Sequence, residues 1–330
     1  MRDYENLTHR GQFRRIGRLA RTVLREYDLS PDARLAPLHH GENTTFRVDD
    51  PVSGRRYCLR VHRPGYQSID AIRSEIQLLD SITRQTDLIV PRPVPTRDGE
   101  PLAFAEIDGV PGRRTVVLFD WIAGRFPKQL TPATVARSGV TLARLHELAQ
   151  SFVPPSGFIR PVVYTDYRGR TLGESLDASA IQIGGKVRAA IEQAHERAVA
   201  VRTALRRTPD VYGVIHADFH RGNFIVRRGG VVAPIDFDDC GWGHYLQDLA
   251  VPMMQYTARP ENAPRAQAFL RGYRSIRPLS REEEALLPYF ALLRHTWMLQ
   301  WVIDRRDNPA LREWLSSSID KTTLAAQALG

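Results

Sequence analysis

Lysine is nearly missing from this chain. Lys128, Lys186 and Lys321 are the only lysines among 46 basic residues, so any role that chemistry usually gives to a lysine before residue 128 falls to arginine. Cysteine is scarce too: Cys58 and Cys240 make no disulfide framework and suit a reducing, cytoplasmic setting. Long apolar runs are absent. Segments such as 115–119 and 211–215 fall far short of the roughly 20 residues that span a bilayer, so no membrane partner is expected. Residues 1–14 are polar and carry no apolar stretch that would read as a secretory signal. With 42% hydrophobic and 25% charged residues, the composition excludes a disordered, collagenous or disulfide-stapled chain.

What remains is an ordinary globular chain of 330 residues, enough for one large or two modest domains. Its net charge of +9 would suit an anionic partner such as a nucleotide or a phosphate, although the excess is spread along the whole chain. Arginines crowd residues 10–25. Between them Ile16, Leu19, Ala20, Val23 and Leu24 recur at helical spacing, so an amphipathic helix covering a sheet accounts for the segment. No nucleic-acid-binding fingerprint accompanies it, and no nucleic-acid partner is expected.

The fold class expected is α+β. Strand-like segments at 34–40, 44–48 and 55–61 are separated by turn residues, and Thr44/Phe46/Val48 and Tyr57/Leu59/Val61 alternate with the period of half-buried antiparallel strands. Helical spacing follows at 68–86, then strands at 88–94, 102–107 and 115–122. This predicts an N-terminal antiparallel sheet with one inserted helix over residues 1–122, and a mainly helical part over 123–330. Helices are expected from the Thr131 cap to about 150, at about 176–206, and from Ser280, whose Ser-Arg-Glu-Glu run is a capping-box signature.

The chemistry is densest at 216–239. His216-Ala217-Asp218-Phe219-His220-Arg221-Gly222-Asn223 leads into two short apolar runs joined by Gly229-Gly230, and Asp236-Phe237-Asp238-Asp239 follows. Gly-Gly between apolar runs signals a two-residue hairpin. In that register Arg228 faces Val231 and Asn223 faces Asp236, an amide oxygen beside a carboxylate, two hard ligands suited to Mg²⁺. Asp218, on the loop before the hairpin, is placed to orient an attacking hydroxyl. Phosphoryl transfer needs these parts: metal on the phosphates, an in-line acceptor, and a carboxylate at the acceptor oxygen. A competing reading takes His216, Asp218 and His220 as ligands of a hydrolase metal. Asp238 and Asp239 read as caps of the following segment.

These residues resemble the catalytic core of the aminoglycoside phosphotransferase, choline kinase and homoserine kinase superfamily, which has a two-lobed protein-kinase-like fold. The resemblance runs from about residue 15 to 305 and is most specific over 212–250. The family's usual His-Gly-Asp is here His216-Ala217-Asp218. The resemblance implies ATP and Mg²⁺ as cofactors, Asp218 as catalytic base, Asn223 and Asp236 as metal ligands, and Asp248 as a structural residue. It implies a phosphate-covering turn at His40–Thr44 containing Glu42 and Asn43, and a nucleotide-phosphate cation at Arg60, where the family has lysine, paired with Glu75. Phe119 and Trp121 fall in the implied adenine-binding hinge.

The implied acceptor is a hydroxyl compound, a small molecule or a protein Ser/Thr, bound by the C-terminal helices. Tyr245, Tyr256, Tyr289, Trp297, Trp301 and Asp304 are candidates for its wall. The last three share a helix face, and aromatic walls with a carboxylate would suit a cationic or sugar-like acceptor. The alternative to a kinase is a nucleotide-binding module without turnover. The sequence sets no oligomeric state.

Overall fold

The computed structural model describes residues 3–329 except 165–166, 180, 182, 258–259 and 307–308. Its N-terminal part is one antiparallel sheet of β1 (Arg34–His40), β2 (Thr44–Asp49), β3 (Arg56–Val61), β4 (Pro93–Val94), β5 (Ala103–Ala105) and β6 (Arg114–Asp120). The order is β1-β2-β3-β6-β4, with β5 also on β6. Strand β6 carries the packing, because it is buried on both faces. Val116 and Leu118 point to one face, against Ile16, Leu19, Ala20 and Val23 of α1 (His9–Val23). Val117 and Phe119 point to the other, against Ile72, Ile76, Leu79 and Ile82 of α2 (Ile69–Gln85). Period two in the strand thus feeds two helices with period 3.6. Each buried Val, Leu, Ile or Phe among them contributes about 1.5–3 kcal/mol.

The expected strand at 88–94 shrinks to Pro93–Val94. Pro91 and Pro93 have no N–H to offer a ladder, which confines the segment to a short edge. The C-terminal part holds α3 (Pro132–Ser151), α4 (Leu172–Ala178), α5 (Gly185–Ala204), α6 (Tyr245–Thr257), α7 (Ala263–Arg274), α8 (Arg281–Asp304) and α9 (Pro309–Gln327). The helix expected at 176–206 is therefore two, α4 and α5. Thr131 caps α3, and Ser280 and Glu283 form the capping box of α8. Among the described residues no helix is long and apolar enough to cross a membrane.

Two small antiparallel sheets sit between the parts: β7 (Tyr212–Ile215) with β10 (Gly241–His244), and β8 (Phe224–Val226) with β9 (Val232–Pro234). The hairpin register corrects the expected one. Phe224 pairs with Pro234 and Val226 with Val232, so the loop is Arg228-Gly229-Gly230, with both glycines at φ +77°. Three residues turn the chain where two were expected, and Asn223 lies opposite Ile235 instead of Asp236.

Candidate active site

The loop after β7 is held from beneath. Asp248 on α6 is fully buried, and its carboxylate accepts from the amides of His216 (2.8 Å) and Ala217 (2.9 Å). His146 of α3 lies 3.1 Å from the same carboxylate through Nε2, with Nδ1 2.8 Å from the Tyr273 hydroxyl. Burial lowers the His146 pKa, so the ring is neutral and donates to Asp248. This anchoring holds Ala217 at φ +66°, a left-handed conformation that costs a non-glycine residue about 1–3 kcal/mol. The family's glycine would adopt it freely; here alanine, the smallest side chain with a Cβ, stands in its place.

Beyond that turn comes Asp218, its side chain 17% exposed. Asn223 Nδ2 donates to its Oδ2 at 2.7 Å and to its backbone carbonyl at 3.0 Å. With the amide nitrogen committed, the amide oxygen is the atom Asn223 has left to offer. Asp218 Oδ1 accepts from Arg294 of α8. His216 spends both ring nitrogens on backbone, on Ile235 O (3.0 Å) and the Asp218 amide (3.3 Å). The hydrolase metal cluster of His216, Asp218 and His220 is therefore not assembled.

Asp236 follows the β9 strand at φ +63°, and this left-handed residue breaks the strand's alternation. Register alone would not set it beside Asn223; the backbone turn re-aims its side chain toward Arg60, whose Nη1 lies 3.5 Å from Oδ1. Arg60 Nη2 donates to Glu75 at 2.6 Å, a pair with side chains only 7% and 1% exposed. The guanidinium also lies 4.8 Å from the Phe119 ring centre. A lysine would supply one point charge there; the fork reaches two carboxylates at once. Burial pushes Glu75 above the ordinary carboxylate range, with Arg60 opposing.

Asp238 and Asp239 do not cap the next segment. Asp238 accepts from Asn43 Nδ2 at 2.8 Å and Asp239 from Tyr66 at 2.5 Å, both from the N-terminal part. Glu42 is paired with Arg63 at 2.5 Å and with Arg305 of the C-terminal part at 2.5 Å. The turn bearing Glu42 and Asn43 thus closes over the cleft. Phe119 is committed within the sheet, and the Trp121 amide donates to Arg56 O at 3.2 Å.

These residues fit a divalent cation with phosphates. Burial pushes Asp236 and Asp239 up to about 7, with Asp238 adding to both and Arg60 pulling Asp236 down. Asp236 still shows 53% of its side chain to the cleft, so water there screens part of the effect. Asp238 Oδ1 is buried without a hydrogen-bond partner. Crowded hard oxygens whose ionised forms need a counter-charge are what Mg²⁺ meets beside substrate phosphates.

On the acceptor side the expected cation-binding wall is already filled. Arg294 lies over Trp297 (5.3 Å) and Arg305 over Trp301 (4.6 Å). Asp304 is paired with Arg170 (2.7 Å) and Arg168 (3.0 Å). Tyr245 stacks on His146, and Tyr256 and Tyr289 belong to the helical core. Sequence reasoning missed Arg294 and Arg160. Arg294 left a signal, one charge directly after the apolar run Ala291-Leu292-Leu293 of α8; Arg160, beside Pro161 in a loop, left none.

Known proteins resemble this chain in sequence and in fold. The model of the phosphotransferase enzyme family matches residues 34–289. The structure of a microcompartment-associated aminopropanol kinase superposes with a TM-score of 0.82 at 29% identity, over 94% of this chain and 96% of that one. A homoserine kinase of Methylobacillus flagellatus is 28% identical over 231 residues, 68% of this chain and 66% of that protein. An amicoumacin kinase in complex with AMP-PNP, Ca²⁺ and Ami shares the fold, with a TM-score of 0.76 at 20% identity over 93% and 92% of the two chains.

Proposed function

Because the chain belongs to the phosphotransferase enzyme family and is a kinase, we propose that it moves the γ-phosphoryl group of ATP to a small-molecule alcohol. Residues 1–122 form the nucleotide lobe in this reading and 123–330 the lobe that brings the acceptor. The observations that carry it are Asp218 bonded to Asn223 on the loop before β8, and Asp236 beside the buried Arg60–Glu75 pair. Asp218 accepts the acceptor hydroxyl and aims its oxygen at the phosphorus. Arg60 grips nucleotide phosphate while Glu75 holds its fork in place. Glu42 and Asn43 cover the phosphates, and the hinge from Phe119 to Trp121 borders the base. The Asn223 amide oxygen and the Asp236 carboxylate would hold Mg²⁺, which when bound neutralises the charge on the phosphates.

The aminopropanol and homoserine kinases make small hydroxyl compounds the first acceptors to test. Titration calorimetry with ATP, with and without Mg²⁺, tests the nucleotide site. The expected result is Mg²⁺-dependent micromolar binding that Asp236→Ala abolishes. No binding to the folded wild type would overturn the reading. Binding without turnover on any alcohol would leave a nucleotide-binding module instead.

A further inference from the structure

Asp218 is held by more than its own loop. Arg294 is 7% exposed, and a guanidinium so far from water requires partners on every side. Its Nη2 donates to Asp218 Oδ1, and its Nη1 donates to the Tyr164 hydroxyl at 2.9 Å. The rings of Tyr164 and Trp297 flank it, with centres at 5.2 and 5.3 Å. Tyr164 in turn donates its hydroxyl to Ala217 O, the residue before the base. Both ends of that bond are strained: Tyr164 sits at φ +52° and Ala217 at φ +66°. Left-handed backbone at a tyrosine persists only when surrounding structure forces it, and such residues gather where geometry serves chemistry. Asn223 occupies Asp218 Oδ2 and Arg294 occupies Oδ1, so the carboxylate plane cannot turn about its bond.

We infer that Arg294, braced by Tyr164, is the positioning residue for Asp218, fixing the carboxylate so that one lone pair faces the acceptor oxygen. The inference rests on Asp218 being the base. A plain structural ion pair would tie α8 to the loop without serving the reaction, and the two roles separate in a double-mutant cycle. The probe is Mg²⁺-ATP with water as acceptor, so no acceptor need be known.

Arg294→Met is expected to lower kcat about 100-fold, the usual cost of misplacing a reacting group by about 1 Å, with the ATP KM within about twofold of wild type. Arg294→Lys, which can still reach the carboxylate with one ammonium, recovers about tenfold of that loss. In an Asp218→Asn background Arg294→Met lowers kcat no further, because a residue acting through Asp218 has nothing left to position. The proposal is overturned if Arg294→Met leaves kcat within about twofold of wild type, or if it costs the same factor with and without Asp218. Should Arg294→Met fail to fold, Tyr164→Phe and Arg294→Lys carry the same cycle. Full turnover by Asp218→Asn alone would remove the base assignment and this inference with it. An inactive Asp218→Asn beside an unaffected Arg294→Met would remove only the inference.

Discussion

Arg60, Arg160 and Arg294 are each almost fully buried and each meets two or more partners, a use of the fork that a lysine could not copy. The scarcity of lysine, read from composition, therefore has structural consequences at the cleft. Burial acts on histidine as well. His62, just past β3, is 4% exposed and neither ring nitrogen has a hydrogen-bond partner. Burial, with the charge of Arg60 added, lowers its pKa to about 3, against an ordinary value near 6.5. The folded state refuses a proton that the unfolded chain accepts, so the neutral histidine costs nothing above about pH 6.5, and stability falls as pH drops from there toward 3. At pH 5 the loss is about 2 kcal/mol. Urea unfolding at pH 7 and pH 5 should show His62→Gln losing about that much less than wild type over the interval; equal losses would count against the assignment.

At the scale of the element, most helices were legible because their signals are local. The Thr131 and Ser280 caps, and the apolar stripes of α1 and α2, lie within a few turns of one another in sequence. The β8–β9 register was not, because Gly-Gly fits a two- or a three-residue loop and the choice depends on what the strands meet. The closest helix contact was hidden for a similar reason. Helices α3 and α7 cross with backbone against backbone: a Cβ on Gly272 would lie 1.9 Å from Ala136 O, and one on Gly139 would lie 2.2 Å from Phe269 O. Alanine is the better helix former by about 1 kcal/mol, so local propensity predicts that Gly272→Ala stabilises. The crossing predicts the opposite, a loss of about 2 kcal/mol or more from forced separation of the helices. Urea unfolding decides between them, and a stabilised variant would mean the crossing is looser than it stands here.

Across the whole molecule, the two lobes are joined by more than the chain. Arg160 donates to Ala71 O of α2 at 3.0 Å, and to Cys240 O (2.6 Å) and Asp238 O (2.5 Å) in the segment after the β8–β9 hairpin. The Ile159 amide adds a bond to Ser74 at 2.8 Å. One buried side chain thus fixes the distance between the helix that bears Glu75 and the segment that bears Asp236. Arg160→Met would leave three carbonyls without this donor, and is expected to cost about 3 kcal/mol or more and to lower Mg²⁺-dependent ATP binding together with stability. Thermal unfolding with and without Mg²⁺-ATP checks both; a variant within about 0.5 kcal/mol of wild type would show that the lobes do not depend on this tie.

The sequence by itself determined the two-part plan, the sheet with its inserted helix, the kinship, and the candidate set Asp218, Asn223, Asp236, Arg60 and Glu75. The plan and the set Asp218, Asn223 and Asp236 rest on short-range pattern: strand alternation, helix stripes, caps, or a motif within 21 residues of chain; Arg60 and Glu75 rest on the family resemblance. Tertiary structure alone decided that Asp238 and Asp239 reach across to Asn43 and Tyr66, and that Arg294 holds Asp218. Those contacts join residues 76 to 195 positions apart. Local propensity carries no information at such separations; packing the lobes together is what selects the pairs.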